Sequence, residues 1–183
     1  TGRLLSLSSW ADEKALIRWR THARHHQAQA QGRDVVLADY RLRVGEIVSD
    51  SAPPAGQSLR EQRLDVTEAS QTKLISVLEL DPALGAGVPE LLQATTIDPV
   101  RPPAGWCEGG KYASLSSEGK QVLLAGWADR AAAQAWYDAA VAPLASPALR
   151  SRFVRVIRSY GMVDRVEAPQ FYPDADVAEA LIW

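Results

Sequence analysis

Apolar and polar positions change period several times along the chain, and each period predicts an element. Leu4–Trp10 is a short apolar run closed by Asp12, the pattern of a buried strand followed by a helix N-cap. From Glu13 to Gln31 the residues Ala15, Trp19, Ala23, His26 and Ala30 recur every three to four positions, with Arg18, Arg20 and Arg24 on the wetter side. This predicts an amphipathic helix ended by Gly32. Val35–Val48 then alternates, Val36, Ala38, Tyr40, Leu42 and Val44 on one face against Leu37, Asp39, Arg41 and Arg43 on the other, as a half-buried strand does. Ser49–Ser70 carries Pro53, Pro54, Gly56 and many charged residues and reads as a linker. Beyond it the predicted elements are a strand at Thr72–Leu80, a short helix at Pro89–Thr96 and a strand at Trp106–Leu115. A turn at Ser116–Lys120, a strand at Gln121–Trp127, an Ala-rich helix from Arg130 to Val141 and a strand at Phe153–Val166 complete the series. Ala168–Trp183 is a tail with a last helical turn expected at Val177–Ile182.

The pattern repeats. Leu4–Asp12 and Val122–Asp129 are both apolar runs that close on Trp-Ala-Asp, and in each a second tryptophan follows nine residues after the first, Trp19 after Trp10 and Trp136 after Trp127. Each copy continues with a helical stretch and an Arg-bearing extended run holding a tyrosine, Tyr40 in one and Tyr160 in the other. The expected organisation is a half-module over residues 1–50, a linker over 51–71, a second module over 72–167 and a tail over 168–183. The second module reads β-α-β-β-α-β, an α+β order of the ferredoxin-like type. The first supplies only the last β-α-β of that plan, so its opening elements are expected upstream of Thr1.

Composition narrows the function classes. With 20 Lys+Arg against 22 Asp+Glu and a net charge of −2, the chain has no electrostatic footprint for nucleic acid. Cys107 is the one cysteine, which excludes an intrachain disulfide or a cysteine metal cluster and makes a reducing cytoplasm the expected compartment. No apolar run reaches the roughly 18–20 residues of a membrane helix, so neither a membrane nor a nucleic acid is an expected partner. Gly109-Gly110 and Gly85-Ala86-Gly87 lack the strand-turn-helix setting of a dinucleotide site.

The residues Leu4–Glu13, Trp19-Arg20, His25–Gln29, Gly32-Arg33 and Ala38–Val44 strongly resemble the antibiotic biosynthesis monooxygenase family, with a more divergent second copy from Thr72 to about Val166. The resemblance implies ferredoxin-like modules whose antiparallel sheets pair face to face as an α/β barrel, within a homodimer or as an intrachain pseudo-dimer. It implies a monooxygenase that oxidises a small aromatic substrate, an anthrone or hydroquinone of polyketide type in antibiotic biosynthesis. O₂ would be the co-substrate and no resident cofactor or metal is expected, with reduced flavin as an alternative.

Such chemistry asks the protein to bind a flat apolar ring system, take a phenol proton, stabilise the anion and exclude water. Trp10 and Trp127 end the strand that carries a substrate-facing tryptophan in anthrone oxygenases, so they are the stacking candidates. The asparagine those enzymes place four residues earlier is Ser6 or Leu123 here. Trp19 and Trp136 are candidate lining residues, more readily packing. His22 and His26, four apart on one helix face, are candidate general bases, and without a third ligand they make a poor metal site. Arg41, Arg43, Arg155 and Arg158 could stabilise a phenolate or pair with carboxylates such as Asp39. Tyr40, Tyr112 and Tyr160 could bond a substrate carbonyl or fill the interior. A haem-degrading relative would need a histidine where Gln29 and Ser146 stand. A non-catalytic paralogue that binds a small aromatic is the remaining alternative.

Overall fold

The computed structural model describes residues 2–22 and 31–169. His25, His26 and the turn expected at Val177–Ile182 lie outside them. Strands β1 (Arg41–Asp50), β2 (Leu74–Leu80), β3 (Trp106–Ala113), β4 (Gln121–Trp127) and β5 (Leu149–Gly161) form one antiparallel sheet in the order β1-β5-β2-β4-β3. Helices α1 (Glu13–Thr21), α2 (Val88–Thr95) and α3 (Arg130–Trp136) accompany it.

Elements β2-α2-β3-β4-α3-β5, with their strands in the order β5-β2-β4-β3, make an α+β, ferredoxin-like unit. The register explains its core. Leu74 opposes Trp127, Ser76 opposes Ala125 and Leu78 opposes Leu123, while Ser76 also opposes Phe153 from the other side. Residues paired across antiparallel strands share a face, so this set forms one apolar surface. Ala133, Trp136 and Val141 of α3 and its extension close over it. Leu78 and Trp127 are wholly buried, and a side chain of that kind contributes about 2–3 kcal/mol by leaving water.

The helices start where the chemistry predicts. Asp129 accepts the Ala132 N–H at 2.8 Å and caps α3, and α2 opens at Gly87 with φ +84° followed by Pro89 in its first turn. Past Trp136, α3 widens into a π turn at Tyr137–Val141 and a 3₁₀ turn at Ala142–Leu144, where Pro143 stops it.

The N-terminal part departs from expectation in four ways. Leu4–Trp10 is not a strand: it is irregular and largely exposed, Leu4 at 74%. A strand needs a neighbour for its N–H and C=O groups, and none of the described strands pairs with this run. Helix α1 ends at Thr21, where the next residue, His22, turns extended, so the expected helix is interrupted there, and its residues 23–30 lie outside the described ones. Gly32–Val36 forms a π turn, and β1 starts only at Arg41, which is where its partner β5 ends, at Gly161.

Finally, among the described residues there is one sheet: β1 extends the edge of the second repeat's sheet beside β5 instead of facing it. The stretch read as a linker is irregular, yet it is fastened down. The Thr67 N–H donates to the Val156 carbonyl at 2.8 Å, Lys73 Nζ to the Thr67 carbonyl at 2.7 Å, and Thr67, Ser70 and Thr72 are buried.

Candidate active site

Both Trp-Ala-Asp segments adopt the same local geometry. Asp12 accepts the Ala15 N–H at 2.7 Å as Asp129 accepts that of Ala132, and the two caps have backbone angles of −158°/172° and −156°/173°. The capped helix then brings its tryptophan back over the preceding one. Trp10 and Trp19 lie 5.0 Å apart at 40°, and Trp127 and Trp136 lie 5.2 Å apart at 37°.

The surroundings differ. Trp127 is 0% exposed and donates its indole N–H to Ser76 Oγ at 2.9 Å, and Trp136 is 8% exposed, so this pair is core. Trp10 and Trp19 are 36% and 41% exposed and offer ring surface to a ligand.

The arginines divide in a similar way. Arg43 pairs with Glu108, which also accepts the Thr72 hydroxyl at 2.6 Å. Burial alone would raise the Glu108 carboxyl, but those two hydrogen bonds and the charges of Arg43 and Arg41 hold it below its ordinary value. Arg155 is held by Glu46 and by Glu61, and Arg152 by Glu79 with Ser9 Oγ 3.0 Å away. Asp39 accepts the Tyr40 N–H instead of an arginine. Arg41 is exposed, and among the described residues it has no carboxylate partner.

A second cluster forms where β1 begins and β5 ends. Leu42 opposes Tyr160 and Val44 opposes Arg158. Arg165, just past β5, donates to the Tyr40 hydroxyl at 2.9 Å and lies 5.9 Å over the Tyr160 ring. Arg20 of α1 acts on the same phenol. Burial pushes the Tyr160 hydroxyl above its ordinary value, against the pull of Arg20, Arg165 and Arg158.

The other candidates stand apart. Tyr112 is half-buried on β3, and His22 caps the end of α1 on the exposed surface. Two hollows open near the sheet. One, about 120 Å³, lies between α3 with its π turn and strands β1 and β5, and is lined by Ser49, Ser51, Gln134, Tyr137, Ser151, Arg152 and Phe153. The other, about 330 Å³, runs along α2 and reaches Asp98 and Lys111. Among the described residues no three His, Cys, Asp or Glu side chains converge to hold a metal, and no helix is long and apolar enough to cross a membrane.

Comparison with known proteins decides the family. The chain is 37% identical over 179 residues to a protein of Pyricularia oryzae named jasmonate monooxygenase ABM, an alignment covering 95% of this chain and 78% of that one. The chain belongs to the ABM family of monooxygenases. No family profile matches it, and no solved structure matches it. In this ABM monooxygenase α1 carries both Trp19, of the exposed aromatic pair, and Arg20, which has no carboxylate in ion-pair contact among the described residues. Residue type and spacing alone do not single out Arg20, Arg165 or Glu108. Arg165 meets Tyr40 just before β1, and Glu108 on β3 meets Arg43 of β1, so no local spacing marks them.

Proposed function

We propose that this ABM monooxygenase oxidises a flat, apolar small molecule with O₂ and without a resident cofactor, an aromatic anthrone or hydroquinone being the substrate class its chemistry suits. The observation that carries this reading is the Trp10–Trp19 pair, whose exposed rings, 5.0 Å apart, form a stacking surface of a kind the buried second pair cannot offer. Removing a phenol proton from such a substrate gives an electron-rich anion that passes one electron to O₂. Recombination of the radical pair gives a peroxide, and loss of water leaves a carbonyl, so that a CH₂ group and O₂ become C=O and H₂O. The protein supplies the ring contact and a cation near the developing oxyanion.

The relative's name favours a second substrate reading, jasmonate, a cyclic ketone that carries a carboxylate. A substrate that cannot itself give up two electrons, as an anthrone or a hydroquinone does, requires them from a reductant for each O₂ consumed. Oxygen uptake with an anthrone, a hydroquinone and jasmonate, each with and without reduced flavin, tests both readings. Uptake with the anthrone alone, reduced at least tenfold in Trp10→Ala, is the expected result. Uptake that strictly requires flavin, or that is unchanged in Trp10→Ala, overturns the cofactor-free stacking reading.

A further inference from the structure

Trp10 is placed by contacts from outside its own segment. Leu4–Trp10 has no described strand beside it, whereas Trp127 ends β4, which is paired on its two sides with β2 and β3. The two tryptophan pairs nevertheless close to nearly the same distance and tilt, 5.0 Å at 40° and 5.2 Å at 37°. The Asp12 cap sets the direction in which α1 leaves, but its bond runs forward to Ala15 and leaves the residues before the cap to be held by something else.

Ser9, next to Trp10, supplies that hold. Its hydroxyl oxygen accepts from Arg152 Nη1 at 3.0 Å, and among the described residues this is the one hydrogen bond from Leu4–Trp10 to the rest of the chain. Beyond the ring, Glu13 accepts from Arg63 Nη1 at 2.7 Å, and the Arg63 carbonyl accepts in turn from Arg155. Trp10 is thus bracketed by two tethers that both lead to β5, one through Arg152 itself and one through Arg63 to Arg155.

Arg152 is built as a fixed post. It is 5% exposed, and its Nη2 lies on the Glu79 carboxylate of β2. Lys120 Nζ meets that carboxylate at 3.4 Å and Asp81 at 3.3 Å, so the acceptor is itself held in place. A guanidinium taken out of water is tolerated only where its partners offset the loss in a defined geometry, and the planar fork then gives the arm left for Ser9 a set direction.

We propose that Arg152 is a positioning residue, which through Ser9 holds the Trp10 ring against Trp19 in the orientation that stacks on the substrate. This rests on the proposed stacking function and brings a residue of the second repeat into a site carried by the first. The hydrogen bond to Ser9 does for Trp10 what the flanking strands do for Trp127.

The test labels the full chain with fluorotryptophan and follows the ring resonances by fluorine NMR, with Trp10→Phe and Trp19→Phe assigning the exposed pair. Oxygen uptake with anthrone gives kcat and KM on the same variants. Ser9→Ala removes the acceptor at an exposed position, Ser9→Thr keeps the hydroxyl, and Arg152→Lys keeps a charge for Glu79 but loses the second arm of the fork. The expected result is that Ser9→Ala and Arg152→Lys displace the Trp10 and Trp19 resonances in the same direction and leave that of Trp127 in place. Both variants raise KM about three- to tenfold with kcat within about twofold, and Ser9→Thr behaves as the unaltered chain. In a Trp10→Ala background Ser9→Ala adds nothing, because it acts only through that ring.

Trp10 and Trp19 resonances that stay in place in Ser9→Ala overturn the proposal. So does a shift that a folded Arg152→Lys does not reproduce, since Ser9 would then act as a mere neighbour. If Arg152→Lys unfolds, Ser9→Ala decides, and a shift that Ser9→Thr fails to reverse counts against the tether. Displaced rings with an unchanged KM overturn it as well.

The failure of the stacking function looks different. A KM unchanged in Trp10→Ala, or no uptake with anthrone, removes that function while the resonances still decide whether Arg152 holds the ring. A KM raised in Trp10→Ala and unchanged in Ser9→Ala keeps the stacking function and removes the tether.

Discussion

Replacing Trp127 and Trp10 separately by alanine uses one motif in two environments and gives the sharpest contrast the structure offers. Trp127 is 0% exposed, lies 5.2 Å from Trp136 and donates to Ser76 Oγ at 2.9 Å. Truncation opens a cavity in the main core and leaves the Ser76 hydroxyl without its donor. A buried aromatic-to-alanine change costs about 3–5 kcal/mol, which for a chain of this size lowers the melting temperature by about 6–20 °C. Trp10 is 36% exposed and its surroundings are open, so its loss forfeits mainly the contact with Trp19 and part of one ring's burial. That is worth about 1–2 kcal/mol, or a few degrees. Thermal unfolding followed by far-ultraviolet circular dichroism at matched concentration measures both. Oxygen uptake well below either midpoint completes the contrast: Trp127→Ala loses activity only with its folded fraction, and Trp10→Ala loses it while folded. A Trp127→Ala protein that melts within about 2 °C of the unaltered chain, or a Trp10→Ala protein that melts as low as Trp127→Ala, refutes the assignment of one pair to the core and the other to the surface.

Two further expectations concern the sheet edge and the segment that fastens it. Burial alone would raise the Glu167 carboxyl, but bonds from Thr67 and from the N–H groups of Ser159, Ala69 and Glu68 hold it down to about 2. A carboxyl lowered on folding stabilises the protein above its unfolded value near 4.5, and that stabilisation is lost as pH falls through about 2. The gap between the two values sets a ceiling of about 3 kcal/mol at neutral pH, and partial exposure reduces the expected figure to about 1–2 kcal/mol. Glu167→Gln should cost that much at pH 7 in urea denaturation and flatten the decline between pH 4.5 and 2; an unchanged decline refutes the role of this carboxylate. Gly45→Ala should loosen β1, because a Cβ there would meet the Arg155 carbonyl oxygen at 2.5 Å and Val154 Cγ1 at 2.6 Å. Hydrogen exchange should show β1 amides losing protection by tenfold or more while β2 and β4 keep theirs, and unchanged β1 protection would show that the close approach is not needed.

How far the chain's own pattern reveals the fold depends on whether each element's partners are local. Gln121–Trp127 forms over the predicted residues because it is flanked by strands on both sides and its apolar run is read directly by the core. Asp12 and Asp129 cap their helices as expected, since a cap is decided within four residues. The spacing of nine residues between tryptophans is equally local, and both pairs close to the same distance. Leu4–Trp10 carries the same apolar signature as Gln121–Trp127, yet a strand is made by its neighbour as much as by its own residues, and this run has no described strand beside it.

The site follows the same division. Tyr40, Arg158 and Trp10 can be singled out from type and spacing, but Arg20 was assigned only to the wetter side of its helix. Nothing near residue 165 indicates that it reaches Tyr160, because β5 and the turn after it bring it there. The reverse holds for Arg43 and Arg155: their residue type suggests an oxyanion partner, and only the pairing of β1 with β5 and the approach of β3 show that Glu108 and Glu46 already occupy them.

The two Trp-Ala-Asp segments therefore differ in their surroundings for a reason that lies outside the motif itself. In the second, Trp-Ala-Asp ends a central strand, so its tryptophans are enclosed by Leu74, Ser76 and Phe153 and contribute to stability. In the first, the same residues precede a helix with no buried residue, and both rings remain partly exposed. The proposed stacking surface therefore falls in the segment that contributes least to the core. Substitutions in the first repeat should thus separate binding from stability, whereas those in the second should change both together.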